Sequence, residues 1–95
     1  MFHILAQVEI EDFAKFIAVF STKGAELRRK HGNSRTRLFR VQGEEKKVVA
    51  IFEWESQAAF EGFLADPIVK ESMRVAGTAG HPEFTFLEFV GELSG

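Results

Sequence analysis

Residues 46–54 read Lys-Lys-Val-Val-Ala-Ile-Phe-Glu-Trp, and Val48 to Phe52 are apolar without a break. A short run rich in β-branched and aromatic residues predicts a strand, and successive strand side chains point to opposite faces. Both faces of this strand are therefore apolar. The last apolar segment repeats the feature: Phe84 and Phe86 alternate with Leu87 and Phe89. Strands of this kind belong to sheets covered on both faces. In a chain of 95 residues the helical stretches suffice for one face only. A second copy of the chain is the simplest cover for the other, and it would also help a small domain bury enough surface.

The remaining segments predict the order in which the sheet is assembled. Residues 2–10 show the half-alternating pattern of a strand, with polar His3, Gln7 and Glu9 interspersed. From Phe13 the period changes, and Phe13, Phe16, Ile17, Phe20, Gly24 and Leu27 form one stripe of a long amphipathic helix. Asp12 is its natural N-cap. Arg28, Arg29 and Lys30 complement the dipole of its last turn, and Gly32 supplies the left-handed stop. Residues 34–42 and 46–54 flank Gly43-Glu44-Glu45 as a hairpin. Ser56 caps a short helix that turns Phe60, Phe63 and Leu64 inward, and Asp66-Pro67 opens a second segment ending at Gly77. Residues 77–83 read as a loop, and residues 84–93 as the final strand. The order is β-α-β-β-α-β, which predicts one ferredoxin-like α+β domain over residues 1–95: a single antiparallel sheet with the helices on one face and a second copy of the chain against the other.

Composition narrows the partners. Phe accounts for 11 residues and Tyr for none, so the aromatic surface lacks hydroxyl handles and needs either a dry interior or an apolar ligand. Twelve Lys and Arg against 14 Asp and Glu leave a net charge of −2, which argues against nucleic acid and against anionic membrane. No cysteine is present, so thiolate chemistry and Cys-ligated metals are excluded. The N-terminal segment lacks the basic leader and apolar core of a signal peptide, and no segment is long enough to span a membrane. The expectation is a cytoplasmic protein.

The stretch Val48-Val49-Ala50-Ile51-Phe52-Glu53-Trp54-Glu55-Ser56, followed by an Ala-Phe pair and by Asp66-Pro67, resembles the dimeric α/β-barrel superfamily. Within it the sequence is similar to the antibiotic-biosynthesis monooxygenase-like proteins, and Gly80-His81-Pro82-Glu83 before the closing strand is similar as well. The resemblance implies a homodimer with a pocket between sheet and helices. It also implies an activity like that of cofactor-free oxygenases on aromatic or polyketide-like substrates, with no cofactor. The haem-degrading branch uses an Asn on the first strand, a Trp ending the third and a His on the second helix. Trp54 matches the Trp, Gln7 lies near the Asn position, and no His occurs between Trp54 and His81. The haem ligand is thus missing.

Among candidate site residues, Trp54 is either a wall on which a flat substrate stacks or a plug at the strand-to-helix corner. Phe60, Phe63 and Gln7 join it as substrate-binding candidates. A base that deprotonates a phenol should titrate near neutrality, which suits histidine. His81, before the last strand, and His3, on the first, are the candidates; His31 belongs to the basic helix end. None has metal-ligand spacing. Arg28, Arg29, Lys30, Arg35, Arg37 and Arg40 hold half of the basic residues within 13 positions. Arg35 and Arg37 share a strand face and form the candidate anion site, with Arg37 as the substrate contact. Glu53 and Glu88, on predicted strands, need partners, from an arginine across the dimer or in a base role. Beside the enzyme reading stands a ligand-binding or structural homodimer without turnover.

Overall fold

The computed structural model describes all 95 residues. In chain order the elements are β1 (Phe2–Ile10), α1 (Phe13–Phe20), α2 (Lys23–Lys30), β2 (Asn33–Arg40), β3 (Lys47–Trp54), α3 (Gln57–Ala65), α4 (Pro67–Val75) and β4 (Thr78–Leu87). The strands make one antiparallel sheet in the order β2-β3-β1-β4. This is the ferredoxin-like arrangement, with each helical connection built from two short helices.

The caps follow local chemistry. Asp12 accepts from the Lys15 N–H at 2.8 Å, Ser56 from Ala59 at 3.1 Å and Asp66 from Ile68 at 2.9 Å, with Pro67 in the first turn of α4. Gly32 has φ +93°, a left-handed conformation that favours glycine.

Three elements differ from the sequence reading. The single long helix is two, because the Ser21 and Thr22 hydroxyls each donate back to a carbonyl one turn earlier, Ile17 O and Ala18 O, at 2.6 Å. Such back-bonding competes with the helical ladder, and the chain breaks there. The predicted loop 77–83 mostly belongs to β4, which begins at Thr78. Pairing passes from Gln7↔Glu83 to Glu9↔Ala79, so Gly80, His81 and Pro82 form a bulge opposite Val8. Pro82, which has no N–H to give a ladder, is tolerated at such a place. Finally, β4 ends at Leu87 rather than running to residue 93. Its partner β1 starts at Phe2, and with His3 already opposite Leu87 no strand remains to pair with residues 88–93.

Alternation along the strands creates two unlike faces. Ile4, Ala6, Val48, Ala50, Phe52 and Trp54 point toward the helices and pack with Phe16, Phe60 and Ala76 as the core. Full burial of a large apolar side chain contributes about 1.5–3 kcal/mol, so this face carries most of the stability. The opposite face has no covering layer within the chain. There Val49 and Ile51 are half-buried, while Phe39 and Leu87 are exposed.

Candidate functional site

Between sheet and helices lies a cavity of about 100 Å³, open on one side and walled mainly by apolar side chains. Trp54, Phe60 and Phe63 stand together in this wall. The Trp54 ring packs 4.9 Å from Phe63, 5.6 Å from Phe60 and 6.0 Å from Phe52, each tilted, as aromatic quadrupoles favour. Trp54 thus ends β3 at the corner where the chain enters α3, and it is 0% exposed. Its Nε1–H is buried without a hydrogen-bond partner. Leaving such a donor unsatisfied costs about 1–3 kcal/mol.

One charged side chain also reaches the cavity, and sequence reasoning had assigned it elsewhere. Arg28 is 7% exposed and lines the wall near Phe20. Its Nη2 donates to the Phe20 carbonyl at 3.0 Å, and its Cζ lies 3.9 Å from the centre of the Phe20 ring. Burial, with a smaller effect from neighbouring Arg29, brings its pKa down to about 10, so it remains cationic at neutral pH. Gly24 makes room for it: a Cβ there would sit 3.1 Å from Arg28 Nη1. In α2, Leu27 and Arg28 are both buried. The available signal was Gly24, one helical turn before the arginine.

The remaining candidates stand on the other face of the sheet. His3 Nε2 lies 3.7 Å from Glu53 Oε1, and its ring stacks on Phe89 at 5.6 Å. Gln7, opposite Val49 and Glu83, borders a shallow depression together with Glu9, Lys47 and exposed His81. Arg37 is exposed, its Cζ 5.7 Å from the Phe39 ring centre. The sheet therefore separates the aromatic cavity from His3, Gln7, His81 and Arg37. Glu53 finds its partners within the chain, in His3 and in Arg35 Nε at 3.8 Å. Glu88 lies beyond β4 and is exposed. His31 takes part in neither region: its Nε2 meets Asp66 Oδ2 at 2.8 Å, joining the end of α2 to the α3–α4 corner. That hydrogen bond, the Ile68 N–H and the charge of Lys30 hold the Asp66 carboxyl below its ordinary range. No group of three or more His, Asp or Glu side chains is arranged to hold a metal ion, and no helix is long and apolar enough to cross a membrane.

The architecture is that of a ferredoxin-like α+β protein with an apolar cavity under its helices. The family model for antibiotic biosynthesis monooxygenase matches residues 1–75, and the chain belongs to that family. No curated protein matches the sequence. Among solved structures, a single-residue variant of SnoaB, a cofactor-independent oxygenase from Streptomyces nogalater, is 23% identical with a TM-score of 0.75 over 97% of this chain and 95% of that one. An antibiotic biosynthesis monooxygenase is 19% identical with a TM-score of 0.74 over 96% of this chain and 100% of its own. A conserved protein from Methanosarcina mazei is 10% identical with a TM-score of 0.71 over 90% and 89%. At these identities the likeness establishes the shared fold, and function has to be argued from the site.

Proposed function

We propose that the protein is a small-molecule enzyme of the cofactor-independent oxygenase type, acting on an aromatic or polyketide-like substrate held in the cavity. The observation that carries this reading is the aromatic wall of Trp54, Phe60 and Phe63 around an apolar space, in a chain of this family. A flat conjugated substrate stacks on such a wall. Once ionised at a phenol or at the carbon beside a carbonyl, it can pass an electron to dioxygen itself. Collapse of the radical pair gives a hydroperoxide, and loss of water converts a ring CH₂ to C=O, so one oxygen atom stays in the product and the other leaves as water. The protein has only to bind, help ionise and keep bulk water away.

Two copies joined through the open faces would enclose Phe39, Ile51 and Leu87 together with His3, Gln7, Arg37 and His81. In the assembled protein His81 and His3 are the proposed bases and Arg37 an anion contact, serving substrate that reaches that side.

Because no histidine or carboxylate lines the cavity, a second reading stands beside the first: a homodimer that binds a ligand without turnover. Oxygen uptake with a panel of quinols and anthrones decides between them. The enzyme reading expects uptake above the uncatalysed rate, lost in Trp54→Phe or reduced in His3→Ala and His81→Ala. Binding of the panel without uptake by the unaltered protein would leave the second reading.

A further inference from the structure

Arg28 is buried without a counter-ion. None of the ion pairs in the protein includes it, and it is the one charged residue in the cavity wall. Burying a charge is costly unless it is paired. The Phe20 carbonyl at 3.0 Å accepts from one of its five N–H groups, and the Phe20 ring offers a further weak attraction. Capping the end of α1 in this way needs a single donor, which a neutral amide would supply at far lower desolvation cost. Gly24 is the second sign, since a Cβ there would lie 3.1 Å from Arg28 Nη1 as well as 3.2 Å from the Val19 carbonyl. Trp54 is the third, a wholly buried N–H with no acceptor. One cation thus stands in an otherwise apolar wall, with no acidic side chain to answer it.

We infer that the cavity is built for an aromatic anion, a flat ligand whose ionised oxygen, carboxylate or phenolate, becomes the missing counter-ion of Arg28 while its rings lie against the aromatic wall. The inference rests on reading the cavity as the substrate site and adds the substrate's charge to it. It also bears on the missing base. A phenol held beside a buried guanidinium ionises more readily than in water, its proton leaving to solvent through the open side. The anion that reacts with dioxygen then forms without a basic side chain in the cavity. A guanidinium suits a planar oxyanion better than an ammonium does, and Arg28 would meet the anion inside the cavity while Arg37 stands on the opposite face of the sheet.

The test compares 2-naphthoate with neutral 2-naphthamide, same rings and no charge, by calorimetric titration. Two-dimensional ¹H–¹⁵N NMR follows the indole N–H of Trp54, the only tryptophan. The expected result is that 2-naphthoate binds about tenfold more tightly, the worth of a hydrogen bond to a charged group, and shifts the Trp54 indole resonance. Arg28→Gln, which keeps a donor for the Phe20 carbonyl, should bring 2-naphthoate down to the affinity of 2-naphthamide and leave the amide within twofold. Arg28→Lys should retain part of the preference. Equal affinity of the two probes for the unaltered protein overturns the anion site and leaves the cavity reading intact, and this measurement stands even if the Gln variant fails to fold. A naphthoate preference that survives in Arg28→Gln, or one that shifts only His3, Gln7 and His81, also overturns it. Failure of both probes to move the Trp54 resonance removes the cavity as a ligand site and the inference with it.

Discussion

The two faces of the sheet solve the same problem in opposite ways. Both are made by the same strands, and both carry apolar residues, yet one buries Trp54 completely and the other leaves Phe39 47% exposed. On the helix side, close packing leaves one interruption, the cavity, and there the polar exceptions concentrate: a buried arginine with no acid and an indole with no acceptor. On the open side the one half-buried carboxylate is answered, His3 and Arg35 both meeting Glu53. The lesson is that unsatisfied polarity, rather than the amount of polarity, marks the region that awaits a ligand. The open face, with Leu87 at 38% and Phe89 at 63% exposure near its margin, has apolar area left over and awaits a surface.

The sharpest way to break the contrast is Trp54→Ala. Removing this side chain from a full aromatic environment should cost about 3–5 kcal/mol in urea or guanidinium unfolding. A loss below about 1 kcal/mol would mean that the corner is loosely packed and that the cavity is not a defined space. Next comes the cap that launches the cavity-facing helix. Ser56→Ala, removing the acceptor for the Ala59 N–H, should cost about 1 kcal/mol in the same assay.

Replacement of His31 by Ala tests the strut between α2 and α4, and should lower the melting temperature by a few degrees. Its pH dependence has a defined sign. The Asp66 carboxyl is held below its ordinary value of 3.8, chiefly by the His31 hydrogen bond, so its contribution is fully present above that pH and is lost as pH falls through the lower folded value. The gap between the unaltered protein and His31→Ala should therefore narrow in acid; a gap constant from pH 7 down to 2 would show that the pair contributes packing alone.

The smallest expected effect sharpens the other half of the comparison. For an isolated protomer Phe39→Ser should change stability by no more than about 0.5 kcal/mol, since the ring already meets solvent. If the open faces join two copies, the same substitution should instead shift the sedimentation equilibrium toward monomer and make the melting temperature less dependent on protein concentration.

The order of elements along the chain, the hairpin and the caps at Asp12, Ser56 and Asp66 were legible because each rests on neighbours within a few residues. So was the two-sided apolar character of β3, a direct consequence of a period of two. The helix break was harder to read, since the stripe from Phe13 to Leu27 runs through it unchanged, and only the competition of the Ser21 and Thr22 hydroxyls for backbone carbonyls reveals it. The start of β4 was hidden because Gly80 and Pro82 are turn residues in most settings, and a bulge opposite Val8 accommodates them here.

For the site, Trp54, Phe60 and Phe63 were named from the chain because apolar side chains beside a strand end and on the first turns of a helix have one inward direction to take. Pairing across the sheet decided where the other candidates stand: His3, Gln7, Arg37 and His81 fall on the face away from the cavity. The sequence by itself determined the order of elements and the alternation that makes two faces, since both follow from local periodicity and capping. Only the tertiary structure decided that Arg28 is buried beside Phe20 and Gly24 without an acid, and that the Trp54 N–H has no acceptor. Whether a charge is answered depends on groups brought close by the packing of separate elements, and no spacing along the chain records that.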